Sequence, residues 1–398
     1  MEEITFSIFN HGQDASDTLR TLLDRFEQQY GIHVHLEVIP SWSIGWSRLV
    51  ENALYRSGPD ISEIGNTWTG DFIRMDSLHA FEPAEAVEIT KEARIFENLW
   101  TSRIRDERGN SLIYSIPWTG DARAIFYRKE LLDKAGIKEE NAFKDITQID
   151  KSLINLKENG ISAPLVIPTR RSTLTTQYIA SWVWSAGGDF LSPNGVNLAF
   201  NLPNAKDGCK KYFRLGRVLT EETRNIGEDE AIQLFRSGIA AVTFSGFWML
   251  DPEQMVPEIR ENIRVTSMPG IPFVGGQDLI VWKHSRHTEA AIKLIRFIYS
   301  EETNKAMFPV FGLPVSESVW MNPPFNGESY SIFKKAIQSG RGFHGQLWGL
   351  VEKRLTDVFA EIWTEIFHSS IHDVDEIVEK NLDNLANRLQ LSLNSSVA

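Results

Sequence analysis

Cysteine is almost absent: Cys209 is the only one in 398 residues. A single thiol cannot close an internal disulfide, and it cannot build a zinc ribbon or a redox CxxC pair. Surplus positive charge is missing too. With 41 Lys and Arg against 53 Asp and Glu the chain carries −12, and no stretch gathers its basic residues together, so no nucleic-acid partner is expected. Long apolar runs are lacking. The longest uncharged stretch, Ser172 to Gly188, contains Ser, Thr and Gln and is shorter than the ~20 apolar residues of a bilayer span, so no membrane-crossing helix is expected. Met1-Glu2-Glu3 runs directly into a strand-like segment with no basic region and apolar core before it, so no export signal is read at this end of the sequence.

Several catalytic motifs are missing as well. The sequence has no GxxxxGK[ST], no GxSxG and no HExxH, which removes phosphate-loop, hydrolase-elbow and zincin chemistry. Gly340-Arg-Gly342-Phe-His-Gly345 spells GxGxxG, but a helical pattern precedes it where a dinucleotide site needs a strand. His368 and His372 lie one helical turn apart near Asp373 and Asp375, a spacing that suits a metal; a polar helix end accounts for them equally. No cofactor and no metal are expected.

What the chain has in quantity is alternation of strand and helix. Ile4 to Phe9 reads as a strand, Asp14 to Tyr30 puts Leu19, Leu22, Leu23 and Phe26 on one helical stripe stopped at Gly31, and His33 to Ile39 alternates as a second strand. A helix from Trp46 to Arg56 and a strand from Asp60 to Ile64 follow, and the pattern recurs in kind further on. Such alternation predicts α/β architecture with parallel or mixed sheets covered on both faces. The last eighty residues read as helical, and at ~150 residues per domain the length suits two or three lobes.

In open α/β sheets ligands bind beyond the carboxyl ends of strands. Four tryptophans fall just after predicted strands: Trp42, Trp68, Trp118 and Trp248. Asn10 and His11 follow the first strand, Asn66 and Thr67 precede Trp68, Asp121 comes three residues after Trp118, and Gly246 lies just before Trp248. Indole rings beside amides, hydroxyls and a carboxylate suit a sugar, whose C–H face packs on an aromatic ring while its hydroxyls need donors and acceptors. Trp100, Trp282, Trp320 and Trp363 are read as structural rather than ligand-facing. Of Trp182 and Trp184, two apart on a helix, at most one can face a given groove.

The run Tyr114-Ser-Ile-Pro-Trp118-Thr-Gly-Asp121-Ala-Arg123-Ala-Ile-Phe-Tyr127 resembles the family-1 extracellular solute-binding proteins, the maltose-binding-protein-like sugar-binding subunits of bacterial ABC importers. Gly58-Pro-Asp60-Ile, Ala186-Gly-Gly-Asp189, Phe235-Arg-Ser-Gly238 through Ser245-Gly246-Phe-Trp248, Met268-Pro-Gly270, Gly275-Gly276 and Gly312-Leu-Pro314 follow in the family's order. The resemblance implies a periplasmic-binding-protein fold of two α/β lobes that are discontinuous in sequence, one from 1–118 plus 247–310 and the other from 119–246 plus 311–398. It implies crossings near Trp118, Gly246 and Phe311. It further implies that Asp121 meets sugar hydroxyls, that Trp248 stacks on the sugar, and that Trp42, Asn66, Thr67 and Trp68 line the cleft. Gln277 and Asp278 are weaker candidates from a turn that enters the cleft, and Phe343 to Trp348 resembles a second-lobe segment near the ligand.

The expected function is capture of a carbohydrate between lobes that close on it, with delivery to the transmembrane permease of an ABC transporter. The protein is expected to be a monomer, periplasmic or extracellular, and not an enzyme. Two alternatives stay open. Arg123 or the pair Arg170-Arg171 would suit an anionic or phosphorylated sugar or polyol, although solvated arginines explain them as well. A glycoside hydrolase would also line its cleft with tryptophan, but needs a second acid to pair with Asp121.

Overall fold

The computed structural model describes residues 2–105, 111–345, 347–369 and 373–395. It divides into two compact units, each made of separate stretches of chain. The first comprises Met1–Asp121, Val274–Gln338 and Gly342–Gly349; the second comprises Ala122–Phe273, Ser339–Arg341 and Leu350–Ala398.

The first unit opens with β1 (Glu2–Phe9), α1 (Gln13–Tyr30) and β2 (Ile32–Ile39), the expected β-α-β. Leu19, Leu22, Leu23 and Phe26 form the buried stripe of α1, and Gly31 ends it in a left-handed conformation, its N–H donating to the Glu27 carbonyl. After β2 comes α2 (Trp42–Tyr55), then β3 (Ile61–Gly65). Helix α2 starts four residues before its expected beginning at Trp46. Gly45 lies inside it, and a Cβ there would meet the Phe9 ring at 2.1 Å; the glycine lets the helix press onto the end of β1.

Six strands form the main sheet of this unit, in the order Leu313–Pro314, Ile116–Ala122, Val274–Val281, β3, β1, β2. β1 lies parallel to both β2 and β3, and Val274–Val281 is antiparallel to β3. One face packs Phe9, Ile39, Leu49, Ile64, Phe72, Ile280 and Trp282 into a core, and the Trp282 indole N–H donates to Ser62 Oγ at 2.7 Å, satisfying its polar edge. The second unit is built on a four-stranded sheet, Ile263–Ser267, Ala124–Arg128, Val242–Ser245, Leu165–Val166. Its core gathers Trp182, Tyr212, Phe213, Phe244, Phe359 and Trp363, with ring centroids 4.8 to 5.9 Å apart.

The units are not bounded as the resemblance implied. Residues 247–273 belong to the second unit rather than the first, because Ile263–Ser267 pairs antiparallel with Ala124–Arg128 along five residues. Residues 311–338 belong to the first unit, because Leu313 and Pro314 pair with Gly120 and Thr119 at the edge of the six-stranded sheet. The chain passes between the units after Asp121, Phe273 and Gln338, beyond Trp118, Gly246 and Phe311, and twice more, after Arg341 and Gly349.

Strand pairing also moves two expected ligand residues into the interior. The strand Ile116–Ala122 extends past Trp118, so this indole is fully buried within the first unit, its ring centroid 5.8 Å from Phe6 and 5.1 Å from Phe311. Asp278 is likewise inside Val274–Val281 and 2% exposed, accepting a hydrogen bond from Ser115 Oγ. Burial pushes its carboxyl up to about 7, against the lowering effect of the Ser115 bond. Trp282, Trp320 and Trp363 are core residues, as expected.

Two predictions follow from this packing. Trp118→Ala should cost about 3–5 kcal/mol of stability, measured by denaturant unfolding; a loss under ~1 kcal/mol would mean the indole is not part of the core. Asp278 has a folded pKa above its unfolded value near 3.9, so its neutral form favours folding below about pH 4, and that advantage drains away as pH rises toward 7. Asp278→Asn should therefore flatten the fall in melting temperature between pH 4.5 and pH 8 by roughly 4 °C or more; parallel curves would contradict the assignment.

Candidate functional site

Parallel pairing brings the carboxyl ends of β1, β2 and β3 to one edge of the first sheet. Beyond β1 lie Asn10 and His11, beyond β2 comes Trp42 as the first residue of α2, and beyond β3 the chain turns through a 3-10 segment of Asn66, Thr67 and Trp68. Val274–Val281 runs the other way, so Gln277, paired with Gly65, reaches the same edge from the opposite direction. Gly276 has a φ of +140° and a Cβ on it would strike the Thr119 carbonyl at 1.9 Å, a backbone approach that needs glycine. Asp121 follows Thr119 by two residues and is half-buried.

The aromatic groups at this edge form a supported platform. Trp42 lies flat on Phe9, centroids 3.7 Å apart and planes within 12°, and is 40% exposed. Trp68 meets Trp42 edge-on at 5.5 Å and Trp46 at 5.4 Å. Both rings pack over Gly65, the Trp68 ring 3.5 Å and the Trp42 ring 3.8 Å from where a Cβ would be, ordinary contact distances. Phe9 anchors the stack in the core, so the orientation of the exposed indole is set before any ligand arrives. Asn66 and Thr67 are half-buried and Asn10 is exposed, with Asn10 Oδ1 accepting from the Gly12 N–H at 2.9 Å.

His11 is held differently. Its Nε2 lies 2.8 and 3.1 Å from the two carboxylate oxygens of Glu63, which also accepts the Phe9 N–H at 2.7 Å. Glu63 is completely buried in β3. Burial of His11 works to lower its pKa, but the charge and hydrogen bond of Glu63 outweigh that and leave it raised above 6.5. The ring packs against Phe311 at 5.0 Å and edge-on to Trp118 at 6.1 Å.

In the second unit Trp248 occupies the 3-10 turn Phe247–Leu250, directly after Val242–Ser245 and Gly246. A side chain at Gly246 would come within 2.2 Å of the Trp248 ring, so the glycine is what admits the indole. The Arg123 guanidinium carbon lies 4.9 Å from the Trp248 ring centroid and 5.6 Å from that of Phe273. Arg123 Nε donates to Gln177 Oε1 at 2.9 Å, and the Trp248 carbonyl accepts from Arg236 at 3.0 Å. Trp248 is half-buried.

Of the expected site residues, then, Asn10, His11, Trp42, Asn66, Thr67, Trp68 and Gln277 gather at one sheet edge of the first unit. Trp248 and Gly246 are at a strand end of the second. Trp118 and Asp278 are interior. Arg123, read from sequence as solvated more readily than as an anion fork, is buried between two rings; Arg170 and Arg171 are exposed and paired with Glu230 and Asp357. The segment Phe343 to Trp348 belongs to the first unit rather than the second, and Gln346 lies outside the described residues. Phe343, His344 and Trp348 line a cavity of about 20 Å³ with Asn66 and Thr67, space for a water rather than a sugar ring. Among the described residues no cluster of three or more His, Cys, Asp or Glu is placed to hold a metal; His372 lies outside them. No described helix is long and apolar enough to cross a membrane.

Sequence reasoning missed Glu63 and Gln177. The first had a signal: an acid in the middle of the otherwise uncharged strand Ile61–Gly65 needs a buried partner. Gln177, one polar residue in the helix Thr173–Ser185, had none.

Comparisons with known proteins agree with the architecture. A putative binding protein of Brucella abortus is 22% identical over 352 residues, covering 85% of this chain and 82% of the relative. The multiple sugar-binding protein of Streptococcus mutans is 21% identical over 335 residues, covering 79% and 76%. Among solved structures, the sugar-binding protein MalE from Xanthomonas citri superposes with a TM-score of 0.80 at 19% identity, over 98% of this chain and 99% of that one. The model of the bacterial extracellular solute-binding protein family matches residues 12–305, most of the chain and parts of both units. That family binds solutes rather than transforming them, which removes the glycoside hydrolase alternative. The chain belongs to the bacterial extracellular solute-binding protein family.

Proposed function

We propose that this solute-binding protein is the substrate-binding component of an ABC importer and that its solute is a carbohydrate. The observation that carries the reading is the Trp42 indole, stacked on Phe9 and 40% exposed, beside Asn66, Thr67 and Gln277 at the same sheet edge. One face of a sugar ring is apolar and its rim is polar, and this edge offers both chemistries side by side. The Streptococcus mutans and Xanthomonas citri relatives are both named as sugar-binding proteins, which favours the same class. In this reading Trp248 supplies a second aromatic surface and Asp121 a charged acceptor for hydroxyls.

An anionic sugar would call for a cation offered to solvent at the strand ends. Arg123 is instead buried against Trp248 and Phe273, so a neutral saccharide is the better match. As the binding component of the importer, the protein would deliver this saccharide to the transmembrane permease.

A thermal-shift panel of mono-, di- and oligosaccharides, uronates and polyols tests the solute class: at least one neutral sugar should raise the melting temperature and be recovered intact. A panel in which none stabilises the protein, or in which the sugar is cleaved, would overturn the proposal. With the sugar so found, Trp42→Ala should weaken binding by roughly 30-fold, about 2 kcal/mol, while shifting the melting of the empty protein little. Asp121→Asn should cost ~1.5–3 kcal/mol of affinity by calorimetry; unchanged affinity would remove Asp121 from the site.

A further inference from the structure

The charged and titratable groups at the sheet edge are not all surface groups. Glu63 is completely buried, yet it makes three contacts to the end of β1: the Phe9 N–H and, through both oxygens, His11 Nε2. A carboxylate removed from water in this way is tolerated only when fully paired. The pairing fixes the imidazole as well as the acid. With Nε2 committed to Glu63, that nitrogen carries a proton, and Nδ1 is left as the ring nitrogen with no protein partner among the described residues.

We infer that Glu63 is a positioning residue that holds His11 as an imidazolium, whose Nδ1–H is the donor offered to an acceptor oxygen of the carbohydrate. The inference rests on the carbohydrate reading above and deepens it by naming one donor and the group that orients it. The surroundings of His11 support a single controlling charge. β3 contributes Glu63; the strand Ile116–Ala122 contributes Trp118 and the helix Glu301–Phe311 contributes Phe311, neither ionisable; the turn after β1 contributes the uncharged Asn10; and Asp14 in the first turn of α1 is exposed. A neutral histidine in the same place would keep its Nε2 proton for Glu63 and present an unprotonated Nδ1, turning a donor into an acceptor.

The consequence is a pH dependence of a particular sign. His11 is raised above 6.5, so the donor is fully present below that value and is lost as pH rises through the raised one. Sugar affinity should hold from pH 5 to about 6.5 and fall roughly ten- to hundredfold by pH 9.

The test uses the full-length protein with maltose and D-glucose as probes, alongside NMR titration of the His11 ring without ligand. Glu63→Gln keeps an acceptor for both N–H groups but removes the charge. It should lower the His11 pKa, shift the affinity profile to lower pH, and restore most of the affinity at pH 5. His11→Asn should abolish the pH dependence altogether. Affinity lost equally at all pH values in Glu63→Gln, or a His11 pKa the same in variant and wild type, would overturn the inference. If the His11 shift behaves as expected but neither these two sugars nor any other of the panel binds at any pH, the carbohydrate reading fails and takes the donor role with it, whereas pH-independent binding overturns the donor role alone.

Discussion

Parallel pairing of β1 with both β2 and β3 is the constraint on which the rest of the first unit depends. A parallel ladder sends every carboxyl end to the same edge, so residues far apart in sequence, from Asn10 to Trp68, are brought together by the sheet alone. The antiparallel strand Val274–Val281 adds Gln277 from the other direction. Beneath that edge the core supplies rigidity: Phe9 belongs to the buried cluster and carries Trp42 on its face. Buried packing thus fixes an exposed ring, and little ordering cost is left for a ligand to meet.

Polar groups at the same edge are fixed by the same economy. Glu63 is tolerable inside β3 because Phe9 and His11 satisfy it, and Gly45 and Gly276 are positions where a ring or the backbone comes too close for a side chain. In the second unit Gly246 and Arg123 do the corresponding work for Trp248. In both units an aromatic group at a strand end is backed by a specific partner.

Much of this was legible in the sequence. A short apolar run marked β1 and periodicity marked α1 and β2, and the helical stripe of α1 held residue for residue. Membership of the solute-binding family was readable in the run from Tyr114 to Tyr127. Strand ends were the weak point, because an apolar run does not say where pairing stops. Trp118 reads as a residue past a strand and is inside one, since Leu313 and Pro314 extend the sheet to Thr119 and Gly120 from a part of the chain nearly two hundred residues away. The unit boundaries were misplaced for the same reason: the pairing of Ile263–Ser267 with Ala124–Arg128 is non-local. Glu63 escaped notice because its partner, His11, is 52 residues distant, and Arg123 because burial of a guanidinium between two rings depends on tertiary contacts that spacing does not reveal.

The central claim is that the indole of Trp42 is the surface on which a sugar ring rests. Intermolecular nuclear Overhauser effects in the saccharide-loaded protein test it most directly. The account predicts cross-peaks between the carbohydrate C–H protons and the ring protons of Trp42. Saturating sugar that gives cross-peaks to other residues and none to Trp42 would contradict it.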